Sequence, residues 1–80
     1  MNNTTRLEAQ QEVQKIIDTT TTAGITYIGQ SVIGTGKSEH KWLIYMVDET
    51  GADIEIKYAE SNRAYDKVWD NRAGYTYSIS

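Results

Sequence analysis

Apolar positions along this chain follow two different spacings. Ala9, Val13, Ile16 and Ile17 fall at i, i+4, i+7 and i+8, one stripe of a helix, with Gln10, Gln14 and Asp18 on the opposite side. Thr5-Arg6-Leu7-Glu8 has the S/T-x-x-E form of a capping box. Glu8 and Glu12 suit the positive end of a helix dipole. The spacing predicts an amphipathic helix over residues 5–19. It fades in Thr19 to Thr22, where four β-branched residues lose side-chain freedom, and Gly24 ends it. The other reading of this segment is a solvated N-terminal arm.

From Ile25 onward the spacing is that of strands. Ile25 to Ile33 is rich in β-branched residues and tyrosine, and Gly29 inside it marks a bulge or bend. Gly34 to Glu39 is a loop. From Lys41 to Val47, Leu43, Tyr45 and Val47 face one way, and Trp42, Ile44 and Met46 the other. Both sets are apolar, which predicts a central strand covered on both faces. Asp53 to Tyr58 alternates, with Ile54, Ile56 and Tyr58 inward and Glu55 and Lys57 outward. Ser61 or Asn62 caps a short helix running through Trp69, with Ala64, Tyr65, Val68 and Trp69 on its apolar side. Gly74 closes it, and Tyr75 to Ile79 forms a last strand.

The fold class expected is α+β in a single domain, residues 1–80. An N-terminal amphipathic helix packs on a bent, mainly antiparallel sheet of about four strands, with a short helix before the last strand. No repeat or linker interrupts it. Eighty residues is near the lower limit for a self-sufficient core, and the 39% hydrophobic content is enough for a compact fold. With no cysteine there is neither a disulfide framework nor a thiolate metal site. Marginal stability or a partner follows from that lack of staples. No apolar run approaches the ~18 to 20 residues that span a bilayer, and the polar N-terminus has no signal-peptide core. A cytoplasmic protein with no membrane association is expected.

A net charge of −3 argues against binding duplex DNA by bulk electrostatics. The aromatic inventory is six Tyr and two Trp with no Phe, so every ring carries a polar tip. Three candidate motifs dissolve on inspection. Gly34-Thr35-Gly36-Lys37-Ser38 resembles the tail of a P-loop, but Ser31 stands where its first glycine belongs and a strand follows instead of a helix. His40 is the single histidine, and Asp48 and Glu49 lie a strand's length away, about 20 Å at ~3.3 Å per residue. Asp48-Glu49-Thr50-Gly51 reads as a turn, because a calcium loop needs further ligands and a flanking helix. No cluster has metal-ligand spacing. No enzyme activity and no cofactor are expected.

The aromatics carry the remaining chemistry. Tyr27, Tyr45, Tyr58 and Trp69 read as core or half-core, while an exposed subset of rings would stack on bases. Lys37, Lys41, Lys57, Arg63, Lys67 and Arg72 would contact a phosphate backbone, though acids are interspersed among them.

Several segments fall in an order that resembles a known family. They are Val47-Asp48-Glu49-Thr50-Gly51, Ile54 and Ile56, Tyr58, Tyr65-Asp66-Lys67-Val68-Trp69, and Gly74-Tyr75-Thr76-Tyr77-Ser78-Ile79-Ser80. Over residues 25–80 this is similar to the OB-fold single-strand DNA-binding domains of the replication protein A type. That resemblance implies an OB-like sheet region over 25–80, an incomplete barrel lacking the fifth strand. It implies Tyr58 as a stacking aromatic. The alternative architecture is a helix packed across a plain meander. Two functions follow. The first is non-enzymatic binding of single-stranded nucleic acid, with Trp42 and Tyr58 stacking and Lys41, Lys57 and Arg63 on phosphates. The second is a small protein–protein interaction module, such as an adaptor, a phage or mobile-element inhibitor, or a virion component, supported by Tyr/Trp enrichment and mild acidity. An open sheet edge would also allow a homodimer.

Overall fold

The computed structural model of the chain describes residues 12–79. In it, the second half of the expected N-terminal helix is a strand. Five strands, β1 (Val13–Asp18), β2 (Ile25–Val32), β3 (Leu43–Asp48), β4 (Glu55–Ala59) and β5 (Tyr77–Ser78), form one antiparallel sheet in chain order, β1-β2-β3-β4-β5. A 3-10 helix at Trp69–Gly74 packs on one face.

The helix expected over 5–19 is thus corrected over its described part, and its residues 5–11 lie outside the described residues. Val13 and Ile17 sit four apart, which satisfies a helical stripe and an alternating strand equally. Ile16 decides between them: it faces the core while Val13, Lys15 and Ile17 face away. Pairing with β2 in the register Ile16↔Gly29 and Asp18↔Tyr27 fixes the strand, so tertiary pairing overrides local propensity. Asp18 builds the turn that follows. Its carboxylate accepts hydrogen bonds from the Thr20 amide at 2.9 Å, the Thr21 amide at 3.2 Å and both threonine hydroxyls. The sheet therefore has five strands where about four were expected, and β1 stands in place of the helix.

Residues opposite one another across antiparallel strands share a face. Ile16, Tyr27, Ile44, Met46, Ala59 and Tyr77 lie on the core face, joined by Ile25, Trp42 and Trp69. Gly29 sits in the middle of this face with its register unbroken, so it is not the expected bulge. Its missing side chain is filled by Trp69. A Cβ at Gly29 would lie 2.5 Å and 2.7 Å from two ring carbons of Trp69. The Trp42 ring stands 6.0 Å from that of Trp69, and Tyr27 stands 5.9 Å from Tyr77.

Trp69 is held in place from both ends. Arg72 stacks 4.6 Å over its ring and donates through Nε to Asp18 at 2.9 Å, which ties the 3-10 helix to β1. Before it, Lys67 and Trp42 exchange two backbone hydrogen bonds of 2.9 Å. The Tyr77 hydroxyl donates to the Arg72 carbonyl at 2.7 Å, and burial pushes that phenol well above its usual range, which keeps the donor protonated.

The expected helix from Ser61 or Asn62 through Trp69 does not form. Glu60 and Ser61 both adopt left-handed backbone, at φ 55° and 63°, which breaks a helix at its first turn. Asn62 accepts a hydrogen bond from the Ala64 amide two residues on, at 3.0 Å, a local turn in place of a helix cap. Regular structure begins only at Trp69.

The incomplete OB-like barrel is also corrected. Strand order simply follows the chain, and among the described residues β1 and β5 are the two unpaired edges of an open sheet. Over the described residues the helix-plus-meander form keeps its meander, and β1 stands where the second half of its helix was expected.

The phase of β4 is opposite to that expected. Met46 lies opposite Lys57 and Tyr45 opposite Tyr58. Because the Trp42, Ile44 and Met46 side of β3 is the one Trp69 occupies, Glu55, Lys57 and Ala59 are drawn to the core face. Ile56 is left 50% exposed and Ile54, just ahead of the strand, 69% exposed.

Two outcomes test this packing. Gly29→Ala forces a methyl group against Trp69 and is expected to cost about 1–3 kcal/mol, read as a lower urea midpoint. An unchanged midpoint would mean that Trp69 does not rest on Gly29. The second outcome concerns acid. Hydrogen bonds from the Thr21 hydroxyl, the Thr20 amide and Arg72 hold the Asp18 carboxyl well below the usual carboxylate range. The Thr50 hydroxyl and amide, with Lys57, bring Asp48 down to about 2. Both folded values lie below the unfolded one, so the unfolded chain binds more protons as pH falls below about 4. The stability these groups contribute is complete above that pH and is lost as pH falls through the folded values. Urea midpoints are expected to drop between about pH 5 and pH 2, and Asp18→Asn is expected to flatten the decline. Identical slopes in both proteins would rule Asp18 out as a source.

Candidate interaction face

The face of the sheet turned away from Trp69 is only partly covered among the described residues, by Arg63 over Tyr58 and by Tyr65 beside Gln30. Its middle row, set by the register, runs Ile17, Ile28, Tyr45, Tyr58 and Ser78. Beside it lie Lys15, Gln30 and Leu43 on one side and Thr26, Val47 and Ile56 on the other. Ile17 is 63% exposed, and Val13, Val32 and Ile56 are exposed as well. Large aliphatic side chains alternate onto this face for the same reason they alternate onto the core face: a strand with apolar residues at both phases has two apolar sides. Exposed aliphatic side chains here neighbour one another on a single face, unlike a lone exposed leucine.

A polar cluster lies at the β4 side. The Tyr45 and Tyr58 rings are 5.3 Å apart, and the Arg63 guanidinium lies 4.8 Å from the centroid of Tyr58. Arg63 belongs to the irregular segment after β4. That segment also carries Tyr65, whose hydroxyl accepts from Gln30 Nε2 at 2.7 Å and fixes the segment to this face.

Charge divides by face. The strands contain three carboxylates, Asp18, Asp48 and Glu55, and the register places all three on the covered side. Each is paired there: Asp18 with Arg72 at 2.9 Å, Asp48 with Lys57 at 3.0 Å and Glu55 with Lys57 at 3.4 Å. Hydrogen bonding to Asp48 raises the Lys57 pKa above the usual lysine value. Among strand residues the open face carries one charged side chain, Lys15; Arg63 lies over Tyr58, and Glu39 and Lys41 line the groove shared with Val13, Val32 and Tyr65.

Of the five residues expected to bind nucleic acid, two come together. Tyr58 and Arg63 form the stack just described. Trp42 is 0% exposed, and its indole N–H donates to the Gly36 carbonyl at 2.9 Å, so it presents no ring to a ligand. Lys57 faces the other side and is engaged by two carboxylates. Lys41 is exposed, 3.9 Å from Glu39, at the rim of an open groove of about 700 Å³ lined by Val13, Val32, Ile33, Thr35 and Tyr65 among others. Sequence reasoning missed Lys15, Ile17, Tyr45 and Ile56 as members of one surface. The signal was present for Tyr45, which shares a phase with Leu43 and Val47, and absent for 13–18, whose apolar positions do not alternate.

His40 lies in an exposed part of the loop before β3. The glycine-lysine loop ahead of it leads into β3 and not into a helix. Among the described residues no three His, Cys, Asp or Glu side chains converge in a way that could hold a metal ion. Among them, no helix is long and apolar enough to cross a membrane. Compared with known protein families, curated proteins and solved structures, the chain matches none.

The two tryptophan-facing and tyrosine-facing sides are expected to respond differently to truncation. Trp42→Ala empties a fully buried site and is expected to cost about 3–5 kcal/mol in urea unfolding. Tyr58→Ala removes a half-buried ring from the open face and is expected to cost about 1 kcal/mol. Equal losses would show Tyr58 to be core and the open face to be closed.

Proposed function

We propose that this chain is a non-enzymatic protein-interaction module whose working surface is the open face of the sheet. The observation that carries the reading is the contiguous aliphatic surface around Ile17, Ile28, Val47 and Ile56. One side of the sheet is closed by Trp69 and the other is not, and a protein surface is the chemistry that buries exposed aliphatic groups. Nucleic acid offers flat rings and phosphates, which aromatic and cationic side chains engage more fully than aliphatic ones. A cytoplasmic setting accords with a chain lacking cysteine. The unpaired β1 edge is a second surface by which a copy of the chain could add a strand.

A second reading has its own observation. The Tyr45–Tyr58 pair under Arg63 is a stacking platform with a cation beside it, the arrangement used by single-strand nucleic-acid binders of the OB type. In that reading Tyr58 stacks on a base and Arg63 meets a phosphate.

The two separate cleanly. Ile17→Gln with Ile56→Gln is expected to leave unfolding cooperative and the midpoint within ~0.5 kcal/mol of the parent, because both side chains are exposed. In the favoured reading, tagged parent protein retains a protein from a lysate of its source that the double variant does not, and labelled oligo-dT shows no salt-sensitive anisotropy change. Micromolar oligo-dT binding that weakens with salt and is lost in Tyr58→Ala would reverse the order of the two readings.

A further inference from the structure

We infer that the outer edge of β1 takes an extended segment of a partner protein as a sixth strand, with an acidic residue of that segment opposite Lys15 and apolar residues opposite Val13 and Ile17. The inference concerns the edge of the sheet and does not rest on the reading of the open face given above.

Backbone geometry makes the edge available. The Ile33 amide donates to the Glu12 carbonyl at 3.1 Å, and the β1–β2 register sets those two residues opposite one another. Hydrogen-bonded pairs alternate along an antiparallel ladder, so Gln14, Ile16 and Asp18 are the residues whose backbone bonds to β2. The N–H and C=O groups of Val13, Lys15 and Ile17 therefore point outward, and among the described residues no strand meets them. Edges are usually kept from further pairing by a short strand, a bulge, a proline or a lysine. At the other edge β5 is only two residues long. β1 pairs over six residues with its register unbroken and holds no proline. Of the usual guards it carries one, Lys15.

Lys15 selects the occupant. Val13, Lys15 and Ile17 lie on one face and are all exposed. A strand laid beside them sets its own side chains directly opposite. An acid there meets the ammonium, and apolar residues two positions to either side cover Val13 and Ile17. That pattern reads the same in either strand direction. Within the sheet the neighbour of Lys15 is Gln30, and among the described residues no carboxylate forms an ion pair with it. Glu39 borders the groove at the Val13 end.

A second copy fits less well. Antiparallel self-pairing that matches Val13 with Ile17 sets Lys15 against Lys15, and like charges directly opposite are destabilising. Moving the register along by two residues sets Lys15 against Ile17 instead. Residues 9–12, A-Q-Q-E, contain no Gly, Asn, Asp or Pro, the residues that tight reversals use, so the sequence does not prescribe a return of the chain along its own β1.

The test uses the full chain, a labelled peptide with the central run valine, threonine, glutamate, threonine, valine, and its twin with lysine for glutamate. Anisotropy reads affinity, and amide exchange by NMR reads the place of binding. The glutamate peptide is expected to bind roughly three- to tenfold tighter than its twin, with the difference shrinking as salt rises. It is expected to slow exchange at the Val13, Lys15 and Ile17 amides. Lys15→Glu is expected to reverse the preference while circular dichroism stays that of the parent. Equal affinities would show that Lys15 selects nothing, and the inference falls. Binding that leaves those amides unprotected puts the peptide elsewhere and overturns it, as does no binding by either peptide. Protection before any peptide is added overturns it too. With a dimer by light scattering the edge then belongs to a second copy, and with a monomer to the chain's own residues.

Discussion

The seating of Trp69 on Gly29 is the constraint on which the rest of this small sheet depends. A single antiparallel sheet has two faces and needs a second layer on at least one of them. Here the second layer is little more than one indole and the short 3-10 helix that carries it. The close approach needs a glycine at the centre of β2, because any Cβ there would lie inside the ring's contact distance. Arg72 then completes the clamp, stacking on the outer side of the indole and reaching Asp18 on β1. The carboxylate that receives it also builds the β1–β2 turn. One ion pair thereby joins the C-terminal excursion to the first strand across the width of the core.

Closing one face in this way settles what the other face must be. The strands carry apolar side chains at both phases, so whichever phase Trp69 does not cover remains open. Lys57 shows the same logic for charge. Its phase is fixed by pairing with Met46 on the covered side, and Asp48 and Glu55 gather around it there. The acidic character of the strands is spent within one face. The strand residues on the other are aliphatic, aromatic and polar, with Lys15 their one charged side chain.

Much of this was legible in the sequence from Ile25 onward. Strand positions for β2, β3 and β4, the turn at Asp48 to Gly51 and the apolar double face of β3 follow from period two and turn chemistry. Three things were not legible, each for a physical reason. Val13 and Ile17 fit both periodicities, and only the partner strand makes 13–18 a strand. The phase of β4 depends on which side of β3 receives Trp69, a contact between residues far apart in the chain. The segment 61–68 has apolar residues at helical spacing, yet the left-handed pair Glu60 and Ser61 and the backbone exchange between Lys67 and Trp42 keep it irregular. For the site, Tyr58 and Arg63 were visible as candidates, while Trp42 was misplaced because an indole reads the same in a core as on a surface until its neighbours are known.

The segment that failed to be a helix is also what connects the two faces. Arg63 and Tyr65 reach the open side, where they meet Tyr58 and Gln30. Only two residues further, Lys67 is buried, its ammonium held by Asn62 and Asp66, and its backbone is laddered to Trp42. Val68 and Trp69 follow directly into the core. A short irregular stretch thus runs from the open side to the indole that closes the opposite face, and five residues, 64–68, join the Arg63–Tyr58 stack to the ring on which the fold rests.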